Sequence, residues 1–306
     1  LRGLWQMAGP LLRYFRNSHP QAHAVATQHY SRLIAHAIAE HAPLIAAAGA
    51  EDLVVREGFR FGFRTARAFD EGVQRARALE AGFGVRHRVE DGAALARAEP
   101  ALRQTLAGAV HWLDPWAVRN PGALVQRYAA LFVARGGRVL TGDATTLQRA
   151  GVAWTVQTDA GRVEAAQAVL ALGPWADGLI RTLGYRFPLF LKRGYHQHYR
   201  APVTLRQPLL DAERGYVLAP MEQGLRLTTG AEFAPIDAPA TPVQLAKAEA
   251  LAREWVDLGE PVAGAPWLGA RPCTADMLPV MGPAPRHPGL WFNFGHSHQG
   301  FTLGPV

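Results

Sequence analysis

Arg271 stands between Ala270 and Pro272 in the stretch WLGARPCTADMLPVMG, residues 267–282, a setting that restrains its backbone. An arginine held in this way can grip a carboxylate through two parallel hydrogen bonds. An ion pair with a neighbouring acid such as Asp276 is the plainer use of the same side chain. Thr274 and Asp276 have the spacing of local turn hydrogen bonds, and Cys273 is most simply a small packed residue. The second chemical stretch is GHSHQGFTLGP, residues 295–305. Gly295 and Gly300, then Thr302 and Gly304-Pro305, read as a loop that opens a helix, where free amides stabilise anionic oxygens. His296 and His298 could ligate a metal, but neither a carboxylate nor a third histidine lies nearby, so no metal site is expected. The third stretch is AVLALGPWAD, residues 168–177. An apolar strand ends at Gly173, before Pro174 and Trp175, and a glycine there lets backbone approach a ligand's phosphate or ring. An ordinary strand–turn–helix is the alternative. Ser297 sits in no Gly-x-Ser-x-Gly elbow, which argues against a nucleophilic hydrolase.

The elements that would carry these stretches can be read from periodicity. Residues 21–48 predict a helix with Leu33, Ile34, Ala37, Ile38, Leu44 and Ile45 as its apolar positions, stopped by Gly49. Residues 50–110 mix short strand-like runs with a helix near 69–81 and another at 94–102 broken by Pro100. Asn120 is a good N-cap with Pro121 at the first helical position, and Leu124, Tyr128, Leu131 and Phe132 share a face of the helix that follows. RVLTG (138–142), VAWTVQT (152–158) and GRVEAAQAVLALG (161–173) read as strands. GYHQHYR, GYVLAP and LRLTTGAEF, between residues 194 and 233, read as antiparallel strands, with MEQG as a turn. Thr241 and Gln244 have the spacing of a capping box for a helix lined by Ala248, Leu251, Ala252, Trp255 and Leu258. The expected fold class is α/β of mixed α+β kind, with an α/β portion bracketing an antiparallel one and a ligand crevice between them.

The bulk numbers bound what such a molecule can be. The 306 residues are 49% hydrophobic and 19% charged, enough for a large core and too apolar for disorder. No run approaches the roughly 18 apolar residues of a membrane span. The first residues do not form a signal peptide, and because the sequence does not begin with Met, a segment upstream is expected. Formal net charge is +7, and only Lys192 and Lys247 of the 32 basic residues are lysines. The arginines are scattered, with no polybasic tail. No nucleic-acid motif accompanies them, so nucleic acid is not an expected partner; weak attraction to an anionic lipid surface remains open. A single cysteine excludes an intrachain disulfide and implies a reducing compartment.

Taken together, the three chemical stretches resemble the flavin-dependent oxidoreductases of the D-amino-acid oxidase superfamily, and most of all the bacterial D-amino-acid dehydrogenase small-subunit type. Trp267, Gly269, Arg271, Pro272, Thr274, Asp276, Pro279 and Gly282 carry the first family motif, and Gly295, His296, Gly300, Thr302, Leu303 and Pro305 the second. The resemblance covers nearly the whole chain. It implies a truncated FAD-binding Rossmann-like domain (1–25, 116–186 and 269–306) interleaved with an antiparallel-sheet substrate domain (26–115 and 187–268). The family's opening strand, G-x-G-x-x-G turn and helix are not in this sequence: Leu1 falls after their expected place, and the helix expected after Pro305 is cut at Val306.

The implied activity is oxidative deamination of an amino acid, in particular a D-amino acid, by hydride transfer from Cα to flavin N5. The resulting imine hydrolyses to a 2-keto acid and ammonia. Arg271 and Tyr216 would bind the substrate carboxylate. Ala144, Gly173, Pro174, Trp175, Gly295, His296, Gly300, Phe301, Thr302 and Leu303 would meet the cofactor. Some relatives attach flavin through a cysteine at the place of Gly269, so non-covalent FAD is expected. The electron acceptor would be a quinone or oxygen, and the location cytoplasmic, peripheral at the inner membrane face. Glycine or sarcosine oxidation, 2-hydroxy-acid dehydrogenation, and a non-catalytic remnant unable to hold flavin stay open.

Overall fold

Two helices open the chain, α1 (Arg2–Asn17) and α2 (Pro20–Ala47), in a computed structural model that describes residues 2–306. Residue 1, where the first expected cofactor segment begins, lies outside the described residues. Pro20 starts α2, where its missing N–H costs nothing. Gly49 at φ 59° ends it in the left-handed conformation that glycine adopts freely. Ala37 and Ile45 are buried as expected, whereas Ile34 and Ile38 stay more than a third exposed.

Then follow β1 (Val54–Val55), β2 (Phe59–Phe63), α3 (Ala66–Phe83), β3 (His87–Asp91), α4 (Gly92–Ala98), β4 (Gly108–Trp112), β5 (Ala117–Val118) and α5 (Pro121–Ala134). The Asn120 side chain accepts a hydrogen bond from Ala123 N at 3.0 Å, the N-cap read from the sequence. Next come β6 (Gly142–Ala150), β7 (Ala153–Thr158), β8 (Gly161–Ala165), β9 (Ala168–Leu170), α6 (Ala176–Thr182), β10 (Phe190–Tyr199), β11 (Leu209–Asp211) and β12 (Tyr216–Met221). The chain closes with β13 (Gly224–Thr228), β14 (Glu232–Phe233), α7 (Val243–Trp255), β15 (Trp267–Cys273), β16 (Val280–Pro283) and β17 (Leu290–Phe294).

The mixed α/β architecture expected from the sequence is present. A nine-stranded sheet runs β14-β10-β13-β12-β11-β2-β4-β3, with β15 along the other edge of β10. It is antiparallel except where β11 meets β2, which are parallel. A three-stranded sheet β16-β17-β9 and an antiparallel sheet β6-β7-β8 form the smaller portion. One core lies between the large sheet and α7, around Tyr195, Tyr216, Leu218, Leu227 and Trp255. A second joins Trp154, Leu170, Ile180, Tyr185, Phe292 and Phe294 in the smaller portion.

Two local expectations are corrected. RVLTG is not a strand: β6 begins only at Gly142, and Asp143 folds back to bond Thr145 N at 2.9 Å, breaking the ladder with β7. Thr241 and Gln244 form no capping box. Thr241 Oγ1 donates to Glu232 at 2.9 Å and Gln244 Nε2 to Ala231 O at 3.3 Å, so both side chains tie α7 to the neighbouring strand and Pro242 stands at the cap. The strand carrying Arg271 pairs with β10 from Trp267 to Cys273.

Candidate active site

The site is built on the alternation of β10. Tyr195 and Tyr199 point into the core with α7, so Lys192, Gly194, His196 and His198 share the opposite face. Cross-strand partners extend that face. Arg271 lies opposite Lys192, Gly269 opposite Gly194, and Trp267 opposite His196 on β15. On the other side, β13 sets Thr228 opposite His196 and Arg226 opposite His198. The Arg271 guanidinium lies across Gly194 in the space a Cβ would take, so any larger residue there would displace it. Gly269 is covered in the same way by the Trp267 ring. That ring stacks on His196 with centroids 4.7 Å apart and planes 21° from parallel.

Electrostatically the face is unbalanced. Arg271 is largely buried, its Nη1 has no hydrogen-bond partner, and burial pulls its pKa down. It forms no ion pair with Asp276, which is exposed and turned to Leu278 N at 3.1 Å. Arg226 Nε is equally without a partner, and burial lowers that guanidinium too. His196 is held at about 4, first by burial and then by the charges of Arg226, His198 and Arg271. His198 is pushed down by burial and Arg226. Guanidiniums buried without counter-ions are costly unless a ligand supplies the anion.

The second chemical stretch returns to the same place. After β17, Gly295 takes φ 79°, His296 bridges to Cys273, and Ser297 N donates to Pro272 O at 3.0 Å. The loop from Gly295 therefore lies against the Arg271 strand. His296 is buried with Nε2 unpartnered. His298 is exposed, and together with Met277, Tyr14, Tyr30 and Phe83 it lines a cavity of about 600 Å³ between α2, α3 and the loops. Ser297 and Met277 both hold positive φ, at 55° and 65°, a strained conformation for a residue with a Cβ. Thr274 Oγ1 bonds Leu278 O at 2.6 Å, so Thr274 and Asp276 make the turn their spacing implied.

Farther along, Gly300 is exposed, Thr302 half-buried and Leu303 fully buried. Phe301 stacks on His41 at 5.7 Å, and its carbonyl pairs with His41 Nε2 at 3.1 Å. His41 Nδ1 reaches the Tyr128 hydroxyl at 2.9 Å, which fastens the loop to α2 and α5.

Gly173, at φ 54°, begins a short 3-10 turn through Pro174 and Trp175 that packs against β15. Trp175 is 69% exposed. Ala144 packs beside the second core, in the smaller portion. The structure thus brings Arg271, the Gly173 turn and the Gly295 loop together. Tyr216 does not join them. It is buried on the core face of β12, its hydroxyl held by Arg64 at 3.2 Å and by Leu251 O at 3.3 Å, with its ring against Trp255. The strand was read correctly, but residue 216 falls on its inward register, and it is Val217 and Ala219 that face the site side. Lys192, His196, His198 and Arg226 were missed, although the alternation of GYHQHYR alone puts both histidines on the face of Gly194. Among the described residues no group of three or more His, Cys, Asp or Glu could hold a metal, and no helix is long and apolar enough to cross a membrane.

Comparison with known proteins points in one direction. The sequence matches DAO, the FAD dependent oxidoreductase family, over residues 6–306. It is 29% identical over 215 residues to glycine oxidase of Pseudomonas putida, covering 68% of this chain and 58% of that protein. It is 31% identical over 261 residues to D-amino acid dehydrogenase of Cereibacter sphaeroides, covering 79% of this chain and 57% of that protein. The chain thus spans under three-fifths of the length of these curated relatives. Its fold superposes on the crystal structure of glycine oxidase from Geobacillus kaustophilus with a TM-score of 0.76, at 24% identity, over 90% of this chain and 74% of that one. With motif, fold and near-complete sequence match in agreement, the chain belongs to the DAO family of FAD-dependent oxidoreductases.

Proposed function

We propose that this chain is the substrate-binding and part of the flavin-binding portion of an enzyme that oxidises an amino acid at its CH–NH2 carbon, with a D-amino acid as substrate. The observation that carries the reading is the Arg271 guanidinium, buried across Gly194 with Nη1 unpartnered and no acid beside it. It would bind the substrate carboxylate in bidentate fashion. The kinship with D-amino acid dehydrogenases supports the choice of substrate, and the kinship with glycine oxidases keeps glycine beside it.

The residues present fit a flavin in part. The Gly295 loop and the positive-φ Gly173 turn offer backbone at close approach, and Asn293 Oδ1 and His296 Nε2 are buried polar atoms without partners. Gly173, Pro174, Trp175, Gly295, His296, Gly300, Phe301, Thr302 and Leu303 would hold it, with Ala144 near its adenine end. A glycine-rich pyrophosphate turn is not among the described residues. FAD, when bound, accepts the hydride from the substrate Cα. The chain's own task is positional: Arg271 fixes the carboxylate and so the direction of the Cα–H bond, while the Trp267–His196 stack walls the site. The amine leaves as an imine, which water converts to a 2-keto acid and ammonia. Attachment would be non-covalent, since Gly269 carries no nucleophile and Cys273 is fully buried with its thiol pushed up by burial.

We assign 1–25, 116–186 and 269–306 to the cofactor portion and 26–115 and 187–268 to the substrate portion; the core around Trp255 and the core around Phe292 fall on either side of this division, while Ile45 and Leu53 pack with Leu124 across it. A quinone acceptor reached by peripheral contact with the inner membrane face belongs to the same reading, and the net charge of +7 would favour an anionic lipid surface. The test is the visible spectrum of the protein, extended upstream to its natural start and supplied with FAD, before and after anaerobic addition of D-amino acids, glycine and 2-hydroxy acids. A flavin band that bleaches with a D-amino acid is the expected result. A protein that takes up no flavin, or bleaches only with a 2-hydroxy acid, overturns the reading.

A further inference from the structure

The site face carries more positive charge than one carboxylate can neutralise. Arg271 and Lys192 stand at one end of it, opposite each other across β15 and β10. Arg226 stands at the other end, opposite His198. Neither arginine nor Lys192 enters any ion pair among the described residues. The hydrogen-bond partner of Arg226 is a thioether, Met221 Sδ at 3.3 Å, and its Nε is buried without any. A thioether is a weak acceptor, so the guanidinium is held in place but not neutralised. Other buried arginines of this chain are treated differently. Arg60 meets Glu90 and Glu99 at 2.8 and 2.6 Å, Arg64 meets Asp211 at 2.7 Å, and Arg193 is bonded to Glu232. The unpaired state is thus particular to the site face.

Strand geometry sets the spacing. Lys192 and His198, which mark the levels of Arg271 and Arg226, are six residues apart on β10, roughly 20 Å. Arg271 spans the first two of those steps by lying across Gly194. Between the two levels lies His196, flanked by Trp267, and beside Arg226 lies His198; burial and the nearby guanidiniums keep both rings neutral. Neutral imidazoles donate and accept without adding charge of their own.

We propose that Arg226, with His198 beside it, is a second anion-binding subsite and determines specificity: the substrate is an acidic amino acid, or an amine with two carboxylates, whose distal acid group is bound by Arg226 while Arg271 holds the α-carboxylate. This rests on the assignment of Arg271 above. A site built around a desolvated charge rejects the isostere that lacks it, because the buried group is then left unpaired.

The test is binding of D-aspartate and D-glutamate against their amides D-asparagine and D-glutamine, and D-alanine. It is read anaerobically by flavin bleaching and by fluorescence of the protein, whose Trp267 adjoins the site. The acids are expected to bind at least tenfold tighter than the amides. Arg226→Leu should bring that ratio close to one and Arg226→Lys should restore part of it, while Arg271→Leu should weaken acids and amides alike. If amides and acids bind equally to the native protein, or if Arg226→Leu weakens both by the same factor, the second subsite is overturned while the assignment of Arg271 stands. If no amino acid binds and Arg271→Leu changes nothing, both fall.

Discussion

At the scale of single residues, two side chains that the sequence puts in one role are given opposite ones by their strands. Arg271 lies on the open face with an unpartnered Nη1, and Tyr216 lies on the core face with both neighbours satisfied. On the proposed role, Arg271→Leu would remove a charged donor pair from the substrate carboxylate, so KM for the amino acid should rise on the order of 100-fold, read in steady-state kinetics of the flavin-loaded protein. A near-native KM would remove its role. Tyr216→Phe should leave KM within about twofold and cost about 1 kcal/mol of stability in urea, the worth of a buried hydroxyl bond. A large KM effect with native stability would return Tyr216 to the site.

At the scale of elements, the site depends on how tightly neighbouring pieces hold one another's ends. The Gly295 loop is tied to β15 through Ser297 N and Pro272 O, and to α2 and α5 through His41, Tyr128 and the Phe301 carbonyl. The helix α5 is in turn started by Asn120, whose Oδ1 caps Ala123 N and whose Nδ2 donates to Glu222 at 2.8 Å. Asn120→Ala should therefore cost about 1 kcal/mol, seen as a lower urea midpoint at unchanged slope. Asn120→Asp should keep most of the cap. Equal losses for both variants would mean that the bond to Glu222 matters more than the cap. Asn120 and Pro121 were legible because a cap is a local device. The Thr241 cap was misread because Glu232, nine residues away, competes for the same hydroxyl.

At the scale of the whole molecule, histidines clustered around the site are all displaced in one direction. His196 is held at about 4, and His198 and His296 are also lowered, each first by burial. In the unfolded chain these groups take up protons as pH falls through the ordinary histidine value near 6.5. The folded chain refuses them, so the unfolded state binds more protons and stability falls as pH drops from about 6.5 towards 4. Thermal midpoints at pH 7.5, 6.5, 5.5 and 4.5 should show a plateau and then a decline, and His196→Gln should flatten it. A midpoint that rises on acidification would contradict the placement of these rings.

What the sequence determined by itself was whatever depends on neighbours within a few residues: the helices α2, α3 and α5, the strands carrying GYHQHYR and GYVLAP, the turn of Thr274 and Asp276, and the motifs around Arg271 and Gly295. What only the tertiary structure decided was which side chains meet. Whether residue 216 or 217 faces the site is a register of one, which a strand's pattern leaves undetermined when both faces are covered. The pairing of His198 with Arg226 and of Lys192 with Arg271 joins residues about 28 and 79 positions apart through backbone ladders rather than side-chain type. The charge imbalance of the site follows from those pairings. A scattered set of arginines becomes one charged face only when the sheet places two of them on one side without an acid between them.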